Sequence, residues 1–247
     1  MVTEFRRVLF RSGNYTGSVE VRFQVVERFF AEWSRLWGDD ALGTMSAVSR
    51  AGFAASDAVV VASAEGYWDA LSASPLAGAL GAPVLLTASG SLSPEAAAEA
   101  ARLGASKAYV VGGPVSVSPA VVDALAAAGL KVERVAGDDA PGTAAAVAAT
   151  LGAGSSSTCV VATSATYQDA LSAGPYAYAE RSPIFLTGPD GSLSEATLAA
   201  VAASGCSRAI VAGGEMSVPA GARAALEEAG LSVVSWIYFP RTGRSPP

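Results

Sequence analysis

Residues 57–91 read DAVVVASAEGYWDALSASPLAGALGAPVLLTASGS, and residues 158–192 read TCVVATSATYQDALSAGPYAYAERSPIFLTGPDGS. The landmarks of the first stretch return about one hundred residues later: Tyr67 with Tyr167, Asp69 with Asp169, Pro75 with Pro175, Pro83 with Pro183, and further on Gly112-Gly113 with Gly213-Gly214. Solenoid units run only about 20 to 50 residues, so a repeat of this length is a duplicated domain. Within each copy, short wholly apolar runs alternate with Ala-rich stretches. Strands are expected at Ala58–Ala62, Val84–Leu86, Ala108–Val111 and Val132–Val135, with helices centred on residues 76, 98 and 124. The second copy repeats the scheme with strands at Cys159–Ala162, Ile184–Leu186, Ala209–Ala212 and Ser232–Val234. Strands without polar alternation, separated by helices, predict an α/β fold: two tandem three-layer domains, each with a mainly parallel sheet covered by helices on both faces.

Helix punctuation agrees with this division. Ser93-Pro94 and Ser118-Pro119 read as N-cap and N1-proline pairs, and Gly104, Gly129 and Gly230 stand where a left-handed C-terminal residue is expected. Pro75 and Pro175 fall six residues after a candidate cap at Asp69 or Asp169. Either a short turn spans DALSA and the helix starts at the proline, or the proline interrupts a longer helix.

Beyond the repeats, residues 1–12 (MVTEFRRVLFRS) match nothing later in the chain and read as a foreign or artefactual leader, without the apolar core of a signal peptide. Residues 13–34 combine the last strand of an upstream β module, in which Val19, Val21, Phe23 and Val25 alternate with polar residues, and an amphipathic linker. The repeats then take residues 35–133 and 134–234. A tail, 235–247, reads as a truncated third copy.

Composition narrows the function. A 51% hydrophobic content with 15% charged residues supports a sizeable core, and a net charge of −6 argues against reading nucleic acid. No apolar run approaches a membrane span. Histidine is absent, which removes the usual general base near neutral pH and the commonest metal ligand. Cys159 and Cys206 belong to the second copy alone and read as apolar fillers or a disulfide, so neither carries chemistry common to both copies.

In an open parallel sheet, ligands bind beyond the carboxyl ends of the strands. Those ends are Ser63, Thr87 and Gly112-Gly113 in the first copy, and Thr163, Thr187 and Gly213-Gly214 in the second. Tyr67, Asp69, Tyr167 and Asp169 follow at the adjoining helix starts, where free N–H groups suit an anion. Lys107 and Arg208 fall at the opposite edge. Asp39-Asp40 and Asp138-Asp139 read as helix caps in preference to metal ligands, and no metal or cofactor is expected. Ser72 and Ser172 lack a base and a nucleophile elbow. The glycine pairs lack both nucleotide-binding spacings and read as tight turns.

The ordered motifs VVVAS, WDALSASPLAG, GAPVLLT, LGASKAYVVGGPVSVSPAVVDAL and VERVAGD, with their second-copy counterparts VVATSATYQDALSAGPYA, SPIFLT and AIVAGGEMSV, resemble the cell wall-binding repeat (type 2) of Gram-positive surface proteins over about residues 35–234. The resemblance implies a non-enzymatic anchor of a secreted protein at the cell wall or cell surface, gripping an anionic wall polymer. Such modules usually come in threes, so a homo-oligomer or a missing third repeat is implied too. The family's PILL segment corresponds to Pro83-Val84-Leu85-Leu86 and Pro183-Ile184-Phe185-Leu186, which read first as buried strands. The family's Arg-Tyr pair at the repeat boundary is absent after Asp39 and Asp138. The competing readings are a small-ligand or nucleotide-sugar enzyme using the same sheet edge, and a scaffold whose repeats mainly pack on each other.

Overall fold

The computed structural model describes residues 3–12, 15–24 and 34–235, with side chains from 34 to 234. Residues 25–33 and 236–247, which hold most of the expected linker and of the tail expected at 235–247, lie outside the described residues. Residues 1–35 and 36–247 form two separate units. In the first, β1 (Thr3–Ser12) pairs antiparallel with β2 (Tyr15–Gln24), from Thr3 opposite Gln24 to Ser12 opposite Tyr15. The alternating residues Val19, Val21 and Phe23 therefore lie on a strand, and its partner is the segment that reads as a foreign leader.

The second unit holds both repeats. The first runs α1 (Ala41–Gly52), β3 (Ala58–Ser63), α2 (Trp68–Leu80), β4 (Val84–Thr87), α3 (Pro94–Leu103), β5 (Lys107–Val111), α4 (Pro119–Ala127) and β6 (Lys131–Val135). The second repeats the order as α5 (Ala140–Leu151), β7 (Thr158–Ala162), α6 (Gln168–Glu180), β8 (Ile184–Leu186), α7 (Glu195–Ser204), β9 (Arg208–Val211), α8 (Ala220–Glu228) and β10 (Ser232–Ser235). Each copy builds one four-stranded parallel sheet, ordered β4-β3-β5-β6 and β8-β7-β9-β10. The registers coincide: Val60 lies opposite Val84 as Val160 lies opposite Ile184.

The strands are apolar throughout because both faces are covered. Val59, Val61, Leu85 and Val110 point into a core closed by α1, α3 and α4, while Val60 and Val111 meet Ala73, Leu76 and Ala77 of α2 on the other face. The second sheet repeats this with Val161 and Phe185 on one side and Val160, Ile184 and Leu186 under α6 on the other. What the sequence did not show is how far the two copies share these cores. Leu71 of α2 sits among second-copy residues, and α5 contributes Ala148, Ala144 and Val147 to three different clusters. Helices α2, α5 and α6 thus form a middle layer shared by both copies.

Helix α2 passes through Pro75 without a break, and α6 through Pro175, so the DALSA turn is the first turn of each helix. The start falls two residues earlier than a cap at Asp69 or Asp169 requires: Tyr67 and Tyr167 occupy the cap positions. Ser93 and Ser118 hold their cap positions, but their hydroxyls serve other partners. Ser93 Oγ accepts from the Ala88 N–H at 2.9 Å, and Ser118 Oγ donates to the Gly90 carbonyl at 3.2 Å.

Candidate functional site

At the carboxyl ends of β3 and β7 the chain turns into α2 and α6, and the start of each helix brings Tyr and Asp to the sheet edge. The two helices lie side by side with equivalent residues facing. Tyr67 meets Tyr167 at one end, with ring centroids 5.4 Å apart, Ser74 faces Gly174, and Gly78 packs directly on the backbone of Tyr178. Equivalent partners at both ends mean that α2 and α6 run parallel and in register. Their N-terminal, partly positive ends therefore emerge together on one surface.

The first-copy aromatics secure this junction. Tyr67 stacks on Trp68 at 4.3 Å. The Trp68 indole N–H donates to the Ser164 carbonyl at 2.9 Å, and the Tyr67 hydroxyl donates to the Ala165 carbonyl at 3.3 Å. The second copy has Gln168 where the first has Trp68, so the clamp is made once. Between the copies lies a cavity of about 360 Å³ bordered by Ser63, Glu65, Tyr67, Leu71, Tyr167 and Leu171. Tyr167 is exposed at its mouth, and Trp68, also exposed, borders a neighbouring cavity beside Asp69 and Gly113. Glu65 accepts from the Ser89 N–H at 3.0 Å, so its charge is turned to the loop after β4.

The hydroxyls at the strand ends are sealed into the fold. Thr87 and Thr187 are wholly buried, and Ser63 and Thr163 nearly so. Thr87 accepts from the Ser93 N–H at 2.8 Å and donates to the Ser91 carbonyl at 3.1 Å, closing the loop into α3; Thr187 donates to the Gly188 carbonyl at 2.9 Å. Ser63 bonds Ser89 Oγ at 2.9 Å, and Thr163 accepts from the Ala165 N–H at 3.1 Å. In this arrangement all four hydroxyls shape loops, a role that apolar periodicity cannot reveal.

Asp69 and the glycine pair do meet, but as a joint. Gly112 has φ +116 and Gly213 φ +110, and a Cβ on either would run into the carboxylate of Asp69 or Asp169. Asp69 is buried. Burial pushes its carboxyl above the usual range, against the opposing bonds from the Ser116 and Thr143 hydroxyls. Thr143 belongs to α5, so Asp69 ties the first copy to the first helix of the second. Gly113 and Gly214 border the cavities beside these carboxylates. Arg134 completes the first-copy loop, donating to the Gly112 and Val117 carbonyls at 2.6 and 2.8 Å; the second copy has Ser235 at that place.

Of the paired aspartates at the repeat starts, the second of each pair is the cap. Asp40 Oδ1 accepts from the Gly43 N–H, and Asp139 Oδ1 from the Gly142 N–H, each at 2.7 Å. No cluster of three metal-ligating side chains occurs among the described residues. Cys159 is buried and Cys206 half-buried, both free thiols. A hydrogen bond between them holds Cys206 below the ordinary thiol range and, with burial, pushes Cys159 above it.

One charged group escaped sequence reasoning. Glu99 is wholly buried, bonded by Arg50 at 2.7 Å and Arg102 at 2.9 Å, and locks α1 to α3. Burial alone would raise its pKa, but the two guanidinium bonds outweigh it and hold the carboxyl below the usual range. The signal was present: Ala96, Glu99, Ala100 and Leu103 form one helical stripe, with a carboxylate where an apolar residue is expected.

Known proteins share this architecture. The chain is 32% identical over 184 residues to the N-acetylmuramoyl-L-alanine amidase LytC of Bacillus subtilis (strain 168), a match covering 74% of this chain and 36% of that protein. Cwp8 from Clostridium difficile superposes with a TM-score of 0.72 at 28% identity, covering 81% of this chain and 35% of that one. Cwp6 from the same organism gives 0.73 at 22% identity, covering 93% and 42%, a likeness of fold. The chain thus spans well under half the length of each. Residues 35–122 and 134–222 each match cell wall binding domain 2, and the chain belongs to that family.

Proposed function

We propose that this chain anchors a secreted protein non-covalently to the bacterial cell wall by binding an anionic wall polysaccharide. The observation that carries the reading is the family match over both repeats. The geometry supports a contact surface at the junction of the copies, where Tyr67 and Tyr167 border the cavity at the paired starts of α2 and α6 and Trp68 stacks on Tyr67. Aromatic faces offer apolar area to sugar rings, and helix N-termini offer N–H groups to anions without basic side chains. On this reading Tyr67, Tyr167, Gly113 and Gly214 are the sequence candidates that touch the polymer. Ser63, Thr87, Thr163, Thr187, Asp69, Asp169, Gly112 and Gly213 support the surface from behind or serve the joint.

An enzymatic reading would need a base at the sheet edge. Asp69 is enclosed by Ser116 and Thr143, and the sequence holds no histidine. The reading is tested by incubating the purified chain with isolated Gram-positive walls, intact or stripped of secondary polymers. Retention on intact walls alone is expected, and Tyr67→Ala with Tyr167→Ala should release the chain. Equal retention on stripped walls would overturn the proposal.

A further inference from the structure

The chain holds two cysteines, and the second copy brings both to one spot. Cys159 lies in β7 and is wholly buried in a core with Val161, Val201 and Ala209. Parallel pairing sets it opposite Ala209 of β9, and Cys206 stands three residues upstream, in the short connector from α7, half-buried against the same core. The two side chains are joined by a hydrogen bond in which the Cys159 thiol donates to the Cys206 sulfur. The Cys206 thiol in turn donates to the Ser156 carbonyl at 3.4 Å.

The first copy shows what this place requires. Val59 and Ala105 occupy the equivalent positions, again one buried and one half-buried, and pack in one core. Apolar side chains at both positions therefore satisfy the fold. In the second copy both members of the pair are replaced by the residue type whose side chains join covalently. An apolar filler accounts for either cysteine singly and leaves their contact unexplained.

The backbone around Cys206 suits closure. Cys206 follows Gly205, which ends α7 at φ +74, and belongs to neither helix nor strand. Its N–H donates to the Ser204 hydroxyl at 3.4 Å, a long bond, whereas the N–H groups of Ser207 and Arg208 are held by the Ser157 carbonyl at 3.0 and 3.1 Å. Cys206 can thus approach Cys159 without disturbing the β7-β9 ladder.

We propose that Cys159 and Cys206 form an intramolecular disulfide that fastens β7 to the connector entering β9, with a small-molecule or protein disulfide as the oxidant. Cys206, the half-exposed partner, attacks first. Its thiolate bonds one sulfur of the oxidant RSSR, and the other sulfur leaves as RS⁻ and takes up the Cys206 proton. The Cys159 sulfur then attacks Cys206 Sγ, and the second RS⁻ departs with the Cys159 proton. The protein loses two electrons and two protons, and the oxidant gains them as two RSH molecules. The order of attack fits the electrostatics: the bond from Cys159 holds the Cys206 thiol down to about 7, whereas that bond and burial push Cys159 up. The segment closed by the bond contains α6, β8 and α7, so the cross-link constrains a long stretch of the unfolded chain and stabilises the second copy. It goes beyond wall binding and is read by mass, so either proposal can fail alone.

The reduced chain is incubated with oxidised glutathione, blocked with iodoacetamide, unfolded and cut with trypsin. Cuts after Arg134, Arg181 and Arg208 separate the cysteines, so residues 135–181 and 182–208 should appear as one joined species that dithiothreitol splits. Oxidation should raise Tm by about 4–16 °C. Cys159→Val with Cys206→Ala gives the second copy the residues of the first, and this variant should fold and show no Tm response to oxidant. Cys159→Val alone should stop with one glutathione held on Cys206, and Cys206→Ala alone should stay unmodified until unfolded. Two free thiols in the oxidised parent, a stable glutathione adduct on it, chains linked to one another through Cys206, or a joined species without a gain in Tm would each overturn the cross-link.

Discussion

Gly78→Ala probes the shared middle layer most directly. A Cβ at residue 78 lands on the Tyr178 carbonyl, far inside van der Waals contact, and a backbone oxygen in a helix cannot rotate away. Overpacking costs about 1–3 kcal/mol, and with a rigid obstacle the upper value, about 3 kcal/mol, applies. Alanine recovers about 1 kcal/mol relative to glycine inside a helix, leaving a net loss of about 2 kcal/mol. For a body of this size that lowers Tm by about 4–8 °C. Gly174→Ala is the matched control, since its Cβ meets only Ser74 Oγ at 3.4 Å. The following proline crowds a side chain at that position, but Ser74 before Pro75 shows that the helix accommodates one. Gly174→Ala should therefore gain between zero and about 1 kcal/mol, so the two variants should differ by about 2–3 kcal/mol in urea unfolding. A Gly78→Ala protein as stable as the parent, or an equal loss from Gly174→Ala, would refute the direct apposition of α2 and α6.

Two further outcomes follow from buried groups. Replacing both Arg50 and Arg102 by Ala strands the Glu99 carboxylate and should cost about 3–5 kcal/mol near neutral pH, more than Glu99→Ala, whose loss leaves two arginines free to reach water. Because the folded pKa of Glu99 lies below its ordinary value of 4.5, its contribution is present above that value and is lost as pH falls through the folded pKa; Glu99→Ala should flatten that acid-side decline in urea midpoints, and an unchanged slope would refute the assignment. Gly112→Ala and Gly213→Ala both force alanine to positive φ, at about 1–3 kcal/mol each, but Gly112→Ala should cost more in thermal unfolding because Ser116 and Thr143 hold Asp69 against the new methyl group. Equal costs would contradict the inter-repeat role of Asp69.

The fold was legible because apolar runs such as Ala58–Val61 are buried on both faces, which only a covered parallel sheet allows, and because the repeat allowed each assignment to be made twice. The site was less legible. Strand-end position marked Thr87 and Thr187 as contacts, yet whether a hydroxyl faces solvent depends on the loop that returns over it, here through Ser91, Ser93 and Gly188. The pairing of Asp69 with Gly112 was invisible for a different reason. Forty-three residues separate them, and the third partner, Thr143, comes from the neighbouring copy. Position at a helix start suggested a cap, whereas tertiary contact assigned a joint.

The two copies also act as controls for one another, and this separates roles that a single copy would confound. Where a residue recurs with unequal cover, as Leu71 and Leu171 or Val147 and Val48 do, the inequality measures a neighbour and not the residue's own preference. Where residues differ while the fold persists, as Glu99 with Ala200 or Trp68 with Gln168, the fold does not require them, and their work is local to one copy. By the first criterion Asp69 belongs to the joint between the copies, because it gains its cover from α5, whereas Asp169 borders an open cavity. Among the described site candidates, Tyr67 and Tyr167 recur, meet each other and still reach the surface. A polymer contact that depends on both copies should therefore fail when either tyrosine is lost, while a contact repeated independently in each copy would lose only about half its sites.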